Sequence, residues 1–318
     1  MIRCVARIRV ISDNDYSGDP DGLWQLSHLL LSPDVDVRLV IGSHLREGDP
    51  FDPSGRSADN AAQKARDIAG VCGRDDVRIV AGSNNPLPWD GTAVRTDAVA
   101  AIVEEAMRDD PRPLYVTCGG GLTEIASAWL AEPRIAQRLT LVWIGGEEYP
   151  GGLVPPGAMP VEYNTLIDPA AARVVFNDSD LPLWQVPRDA YRQALVSMRD
   201  MDHRVRPLGT LGALLVDALE ETRGMTREYG LDPGGTYIIG DNPLVLLTAL
   251  QSGFEPDPSS SQSFRRPRPR VRDDGTFDFE GAGAEVRVFT RLDVPLMVGD
   301  LVALFAARAD GEGRAGGH

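Results

Sequence analysis

Residues 10–31, VISDNDYSGDPDGLWQLSHLLL, run an apolar, β-branched strand into Asp13, Asp15, Asp19 and Asp21, and then at once into an apolar helix. Four carboxylates within nine residues repel one another, so a strand end gathers them only around a positive charge or in full solvent. A hard divalent cation held by oxygens is the economical solution; calcium takes 6–8 of them at about 2.3–2.6 Å. Gly18 and Pro20 suit a tight loop that turns several side chains inward. Asp19 or Asp21 could instead cap the helix, but capping does not need four carboxylates.

The rest of the chain alternates in the same way. Strand-like runs at 5–12, 35–41, 77–80, 114–117, 139–144 and 183–186 alternate with helix-like stretches at 21–31, 57–70, 96–108, 122–130, 169–176 and 208–223. This reads as βαβ units, an α/β fold with a mostly parallel central sheet flanked by helices. Ligands on such sheets bind beyond the carboxyl ends of the strands, which is where the aspartates stand. The Pro-, Ser- and Arg-rich stretch 256–274, with RRPRPR at 265–270, reads as a mobile surface loop or, alternatively, a lid or subunit contact. A strand at 285–289 and a helix at 293–307 close a single domain, 1–308, and a Gly-rich tail, 309–318, is expected to be disordered.

A net charge of −15 argues against nucleic acid or an anionic membrane surface as partner, and leaves room for a small neutral substrate. Cys4, Cys72 and Cys118 show no CxxC spacing and read as free thiols in a reducing compartment. Arg3, Arg7 and Arg9 interrupt the apolar residues of the first strand, unlike a signal peptide. No apolar run approaches the roughly 20 residues that span a bilayer. The expected location is cytoplasmic.

Four further segments carry chemistry. In YVTCGGGLTEIASAWL (115–130) a strand ends in glycines that let a ligand approach the backbone, and Glu124 stands where a dinucleotide fingerprint needs glycine. In VEYNTLIDPAAARVVF (161–176), Glu162 and Asn164 suit the holding of hydroxyls, whereas Asp168 before Pro169 reads as an N-cap. In YIIGDNPLVLLTAL (237–250), Asp241 ends another apolar run and either caps the next helix or converges on the first cluster. Of the four histidines, His28 reads as structural, His44 and His203 are possible site residues, and His318 is terminal.

Taken together and in order, these segments resemble the inosine–uridine nucleoside hydrolase family over nearly the whole chain. Residues 13–21 resemble its strand-terminal D-x-D-x-x-x-D-D signature, 55–88 its helix, strand and Pro-Leu loop, and 120–129 its G-P-L-T-N-x-A turn. Residues 142–146 resemble its strand ending in Gly-Gly, 161–172 its E-x-N…D-P-E-A-A segment, and 240–244 its His-Asp-Pro-Leu. The resemblance implies a calcium-dependent hydrolase that cleaves a nucleoside to free base and ribose, commonly as a dimer or tetramer. It implies Asp15 as general base and metal ligand, with the Gly119 carbonyl and Asp241 as further ligands; Asp19 and Asp21 divide metal and sugar binding between them, Asp19 taking the metal and Asp21 the sugar in one of two registers. It implies Asp21, Ser43, Glu162 and Asn164 as substrate partners, with Trp89 able to stack on a base.

The departures are specific. Against the family pattern, two residues are added between Asp15 and the helix, so one expected carboxylate is missing in either register. Ser43 replaces an asparagine, and Gly240 replaces the histidine that in many members helps the base leave. His44, His203 and Tyr149 are the candidates for that task. Two alternatives stay open: a catalytically weak nucleoside- or sugar-binding protein on the same scaffold, and a haloacid-dehalogenase-like phosphatase built on Asp13, Asp15, Thr117 and Asp241. The phosphatase chemistry also wants a lysine after Thr117, whereas the only lysine is Lys64, upstream.

Overall fold

The computed structural model describes residues 6–254, 259–281 and 283–315; Cys4, the start of the first expected strand and His318 lie outside them. In chain order the first half contains β1 (Ile8–Asn14), α1 (Asp21–Leu31), β2 (Val35–Gly42), α2 (Ser57–Cys72), β3 (Ile79–Ala81) and α3 (Asp97–Ala106). It continues with β4 (Leu114–Cys118), α4 (Thr123–Ala131), β5 (Thr140–Ile144), α5 (Tyr163–Ile167), α6 (Pro169–Arg173) and β6 (Leu183–Val186). The second half holds α7 (Arg188–Tyr191), β7 (Leu195–Ser197), α8 (Met198–Arg204), α9 (Gly209–Glu228), β8 (Thr236–Ile238) and α10 (Pro243–Thr248). Then come β9 (Gln262–Pro267), β10 (Arg270–Val271), β11 (Phe277–Asp278), β12 (Glu285–Arg291) and α11 (Val294–Ala315).

Eight strands form one sheet in the order β3-β2-β1-β4-β5-β6-β12-β9. All neighbours are parallel except the final pair, β12 and β9. β1 lies between β2 and β4 and is buried on both faces, as its run of branched apolar residues demands. Val10 packs into the apolar layer under α1, α9 and α11, while Ile11 packs into the layer under α3, α4 and α6. At the end of β2 a Cβ on Gly42 would stand 2.2 Å from the Ala62 nitrogen, so only glycine lets α2 lie this close.

Three segments differ from the sequence expectation. Residues 262–267, expected in a surface loop, form edge strand β9 against β12; a pairing with residues some twenty positions downstream is invisible to local composition. Next to it the Arg268 guanidinium is buried and donates to the carbonyls of Val175 (2.9 Å), Ser179 (3.0 Å) and Leu181, and burial lowers its pKa to about 10. The helix expected over 169–176 gives way after Arg173 to a wider turn, in which the Ser179 amide donates to the Val174 carbonyl at 2.9 Å. The closing helix continues to Ala315, well into the stretch expected to be disordered. Among the described residues no helix is long and apolar enough to cross a membrane; Cys72 is buried, and Cys118 is a buried free thiol.

Candidate active site

The carboxyl end of β1 delivers the aspartates to a crevice over the sheet, where β1, β2, β4 and β5 all end. The loop after β1 turns at once, the Gly18 amide donating to the Asp15 carbonyl at 2.7 Å. Neither Asp19 nor Asp21 caps α1, which has no side-chain cap. Asp19 instead accepts the Asp21 amide (3.1 Å) and the Tyr237 hydroxyl on both oxygens (2.9 and 3.0 Å). Asp241 does not cap α10 either. Its carboxylate accepts from the Asn14 amide at 2.9 Å, and the Asn14 side-chain oxygen accepts the Asp15 amide at 2.8 Å. A Cβ on Gly119 would come within 2.4 Å of the Asn14 amide nitrogen. Asn14 therefore fits a glycine-sized gap and ties residues 227 positions apart.

The crevice is a cavity of about 310 Å³. Asp15, Asp19, Asp21, Asp241 and Glu162 line it with Asn164 and Gly119, and Leu45, Phe51, Ile144, Ile238, Tyr163, Tyr191 and Gly240 complete the wall. Glu162 caps α5 through Thr165 (3.1 Å) and accepts the Gly146 amide (2.8 Å) and the Tyr191 hydroxyl (3.1 Å). Asn164 donates to the carbonyls of Gly119 (2.9 Å) and Ile144 (2.8 Å), pinning the ends of β4 and β5 together. Tyr163 donates to Asp49.

Burial, followed by repulsion from Asp241 and Asp19, holds the Asp15 pKa well above the usual carboxylate range. Burial and the same neighbours do this to Asp21. Asp241 is pushed up to about 7, first by burial, with Asn14 pulling back and Asp19 and Glu162 adding repulsion. A divalent cation among these groups would replace repulsion with attraction. The donor set is all oxygen, four aspartates and the Gly119 carbonyl, which fits a hard ion. Among the described residues no three His, Cys, Asp or Glu side chains are already gathered as a metal centre, so the fit rests on donor chemistry and on that shared repulsion.

A second acidic group lies behind the first. Asp13, Glu124 and Asp168 are buried with Cys118, Ser43, Thr123 and His44. One oxygen each of Asp13 and Glu124, and the Ser43 hydroxyl, are buried without a hydrogen-bond partner. Burial, then the Glu124 charge, raises the Asp13 pKa; burial raises Glu124 to about 7. Asp168 is the expected cap, accepting the Ala171 amide at 2.9 Å, and also accepts from Leu87 (2.7 Å) and Thr123 (2.6 Å).

Asp15, Asp19, Asp21, Gly119, Glu162, Asn164 and Asp241 thus share one cavity, as the sequence reading expects of them, and the remaining site candidates stand outside its wall. His44 is buried between the Leu45 carbonyl and the Thr123 hydroxyl, each at 2.9 Å, and Ser43 faces Asp13. His203 is exposed on α8. Trp89 is exposed, with the Arg173 guanidinium 5.6 Å over its ring. Tyr149 packs against Phe264 and Phe279 and donates to Gln185 at 2.5 Å. His28 is structural, joining Asp300 of α11 (3.0 Å) and Asn242 (3.2 Å). The sequence reading missed Asn14, Tyr237 and the Tyr163–Asp49 pair. Only Asn14 carried a signal, as the polar residue between two strand-end aspartates.

A parallel sheet whose strand ends gather aspartates, a backbone carbonyl and a Glu-x-Asn pair around one cavity defines an α/β protein with an acidic, oxygen-lined crevice. The model of the family "Inosine-uridine preferring nucleoside hydrolase" matches residues 10–299. The chain belongs to that family, whose members are N-glycoside hydrolases, and not to the phosphatases. An inosine-uridine preferring nucleoside hydrolase of Leishmania major is 33% identical over 259 residues, covering 68% of this chain and 78% of that protein. One of Crithidia fasciculata is 33% identical over 162 residues, covering 43% of this chain and 48% of its own length. Among solved structures, the plant nucleoside hydrolase PpNRh1 superposes with a TM-score of 0.72 at 19% identity, covering 95% of this chain and 99% of that one.

Proposed function

We propose that the chain hydrolyses the N-glycosidic bond of a ribonucleoside, releasing base and ribose, with calcium as its ion. The observation that carries this reading is the meeting of Asp15, Asp19 and Asp21 with Asp241 in one cavity that also holds Glu162 and Asn164. The names of the Leishmania major and Crithidia fasciculata relatives support a nucleoside as substrate.

Asp15, Asp19, Asp241 and the Gly119 carbonyl would hold the ion. When bound, it supplies a positive charge that acidifies water and binds adjacent sugar hydroxyls. Asp15 accepts the proton of the attacking water. Positive charge grows on the sugar as the bond to the base breaks, and the surrounding carboxylates stabilise it. Glu162, Asn164 and Asp21 orient the hydroxyls; Tyr191 holds Glu162 in place, and Tyr237 holds Asp19. The reading carries with it a cytoplasmic enzyme acting as a homo-oligomer.

Release of reducing sugar from a panel of nucleosides, with calcium and with chelator, tests the proposal. Turnover that chelator abolishes and calcium restores is the expected result. Gly240 beside Asp241, together with the lengthened acidic loop, favours a weak binder as the second reading, and nucleoside binding without sugar release would select it.

A further inference from the structure

The base of a neutral nucleoside leaves as an anion unless something protonates it, and that protonation is worth about 10²–10⁴ in rate. Among the described residues, the candidate histidines and tyrosines are committed elsewhere. His44 is enclosed between Leu45 and Thr123, His203 lies on the outer side of α8, and the Tyr149 hydroxyl is spent on Gln185. The three tyrosine hydroxyls in or beside the cavity already donate: Tyr163 to Asp49, Tyr191 to Glu162 and Tyr237 to Asp19. Gly240, in the wall beside Asp241, has no side chain to offer.

The wall also has a charge. Five carboxylates line it, and among the described lining residues none is Lys, Arg or His. One divalent cation offsets two of those charges and leaves the cavity anionic. Phe51 and Tyr163 add aromatic surface to the same wall, and acidic groups beside aromatic rings recognise organic cations.

Resting on the N-ribohydrolase reading above, we propose that the preferred substrates are ribonucleosides whose heterocycle carries a quaternised ring nitrogen. Such a base needs no proton from the protein. The bond from C1′ to the ring nitrogen breaks with its electron pair going to that nitrogen, which cancels the ring's positive charge. The water oxygen bonds to C1′, and its proton passes to Asp15 and then to solvent. Cationic nucleoside and water thus give neutral base, ribose and one proton.

Guanosine and 7-methylguanosine test this at pH 6, where the methylated ring carries its charge; kcat/KM for sugar release is measured with calcium present. The expected result is a preference of at least about 100-fold for 7-methylguanosine, the size of a missing general acid. Equal kcat/KM for the two would overturn the inference and leave the hydrolase reading intact. No sugar from either, nor from any nucleoside of the panel, would instead remove the hydrolase reading itself. Tyr163→Phe and Tyr191→Phe provide a second measurement. Both variants are expected to change the two substrates in parallel; a selective loss of guanosine turnover in either would identify that tyrosine as the missing acid and overturn the inference.

Discussion

Asp13 and Asp15 leave the same strand two residues apart and enter opposite environments. Asp15 opens onto a cavity with Asp19, Asp21 and Asp241, whereas Asp13 turns inward to Glu124 and Cys118. Both groups are buried and repel their neighbours. The outer one has space beside its oxygens for a ligand, and the inner one leaves oxygens of Asp13 and Glu124 enclosed without partners. The difference teaches that a buried carboxylate cluster is not a site by virtue of its charge. Access separates them: the outer cluster lines a cavity, whereas Asp13 and Glu124 do not.

The sharpest break of this comparison is Asp15→Asn. Turnover should fall by about 10³-fold, the scale of a lost general base, with the folded circular dichroism spectrum retained. The same kinetics for Asp13→Asn would erase the distinction between the clusters. Next comes ion linkage. Calcium at about 100 times its dissociation constant should stabilise the wild type by about 2.7 kcal/mol. In Asp241→Ala the same concentration should raise Tm far less, which differential scanning calorimetry would detect.

Glu124 reports on the inner cluster through pH. Its pKa rises from 4.5 to about 7 on folding. Between those values the folded protein keeps a proton that the unfolded chain releases, so its stabilising contribution is full below about pH 4.5 and lost as pH rises through 7. The full effect is on the order of 3 kcal/mol. Urea unfolding of the calcium-saturated protein at pH 5 and pH 8 should show this decline, and Glu124→Gln should flatten it. An unchanged slope in the variant would deny Glu124 that role. Ser43→Ala is the smallest expected effect. Its buried hydroxyl faces Asp13, and its removal should alter stability by about 1 kcal/mol or less and leave KM within twofold, as unfolding and steady-state assays would read.

Asp15, Glu162 and Asn164 were legible because their signals are local: a carboxylate at a strand end, and two polar residues just ahead of a short helix. Asp241 was legible only as one of two options, since a residue before Pro243 reads equally as a cap. The Asn14 bond excludes the cap by claiming the carboxylate for the sheet end. Tyr237 and Asp49 were not legible, because nothing near residue 237 reveals that its hydroxyl meets residue 19. The histidines misled for a related reason. His44 follows a strand end beside the site, yet Leu45 and Thr123 claim both ring nitrogens. The Pro- and Arg-rich stretch failed on the same ground, its strand being defined by a partner that comes later in the chain.

That partner has a consequence of its own. β12 is the last strand in the chain, yet it sits inside the sheet, between β6 and β9. Ribosomal synthesis therefore delivers every pocket residue before the platform beneath them has its final plank. Until residues 285–291 emerge, β6 exposes a raw edge and β9 has nothing to lie against, so nascent chains stalled short of that point are the species most exposed to aggregation.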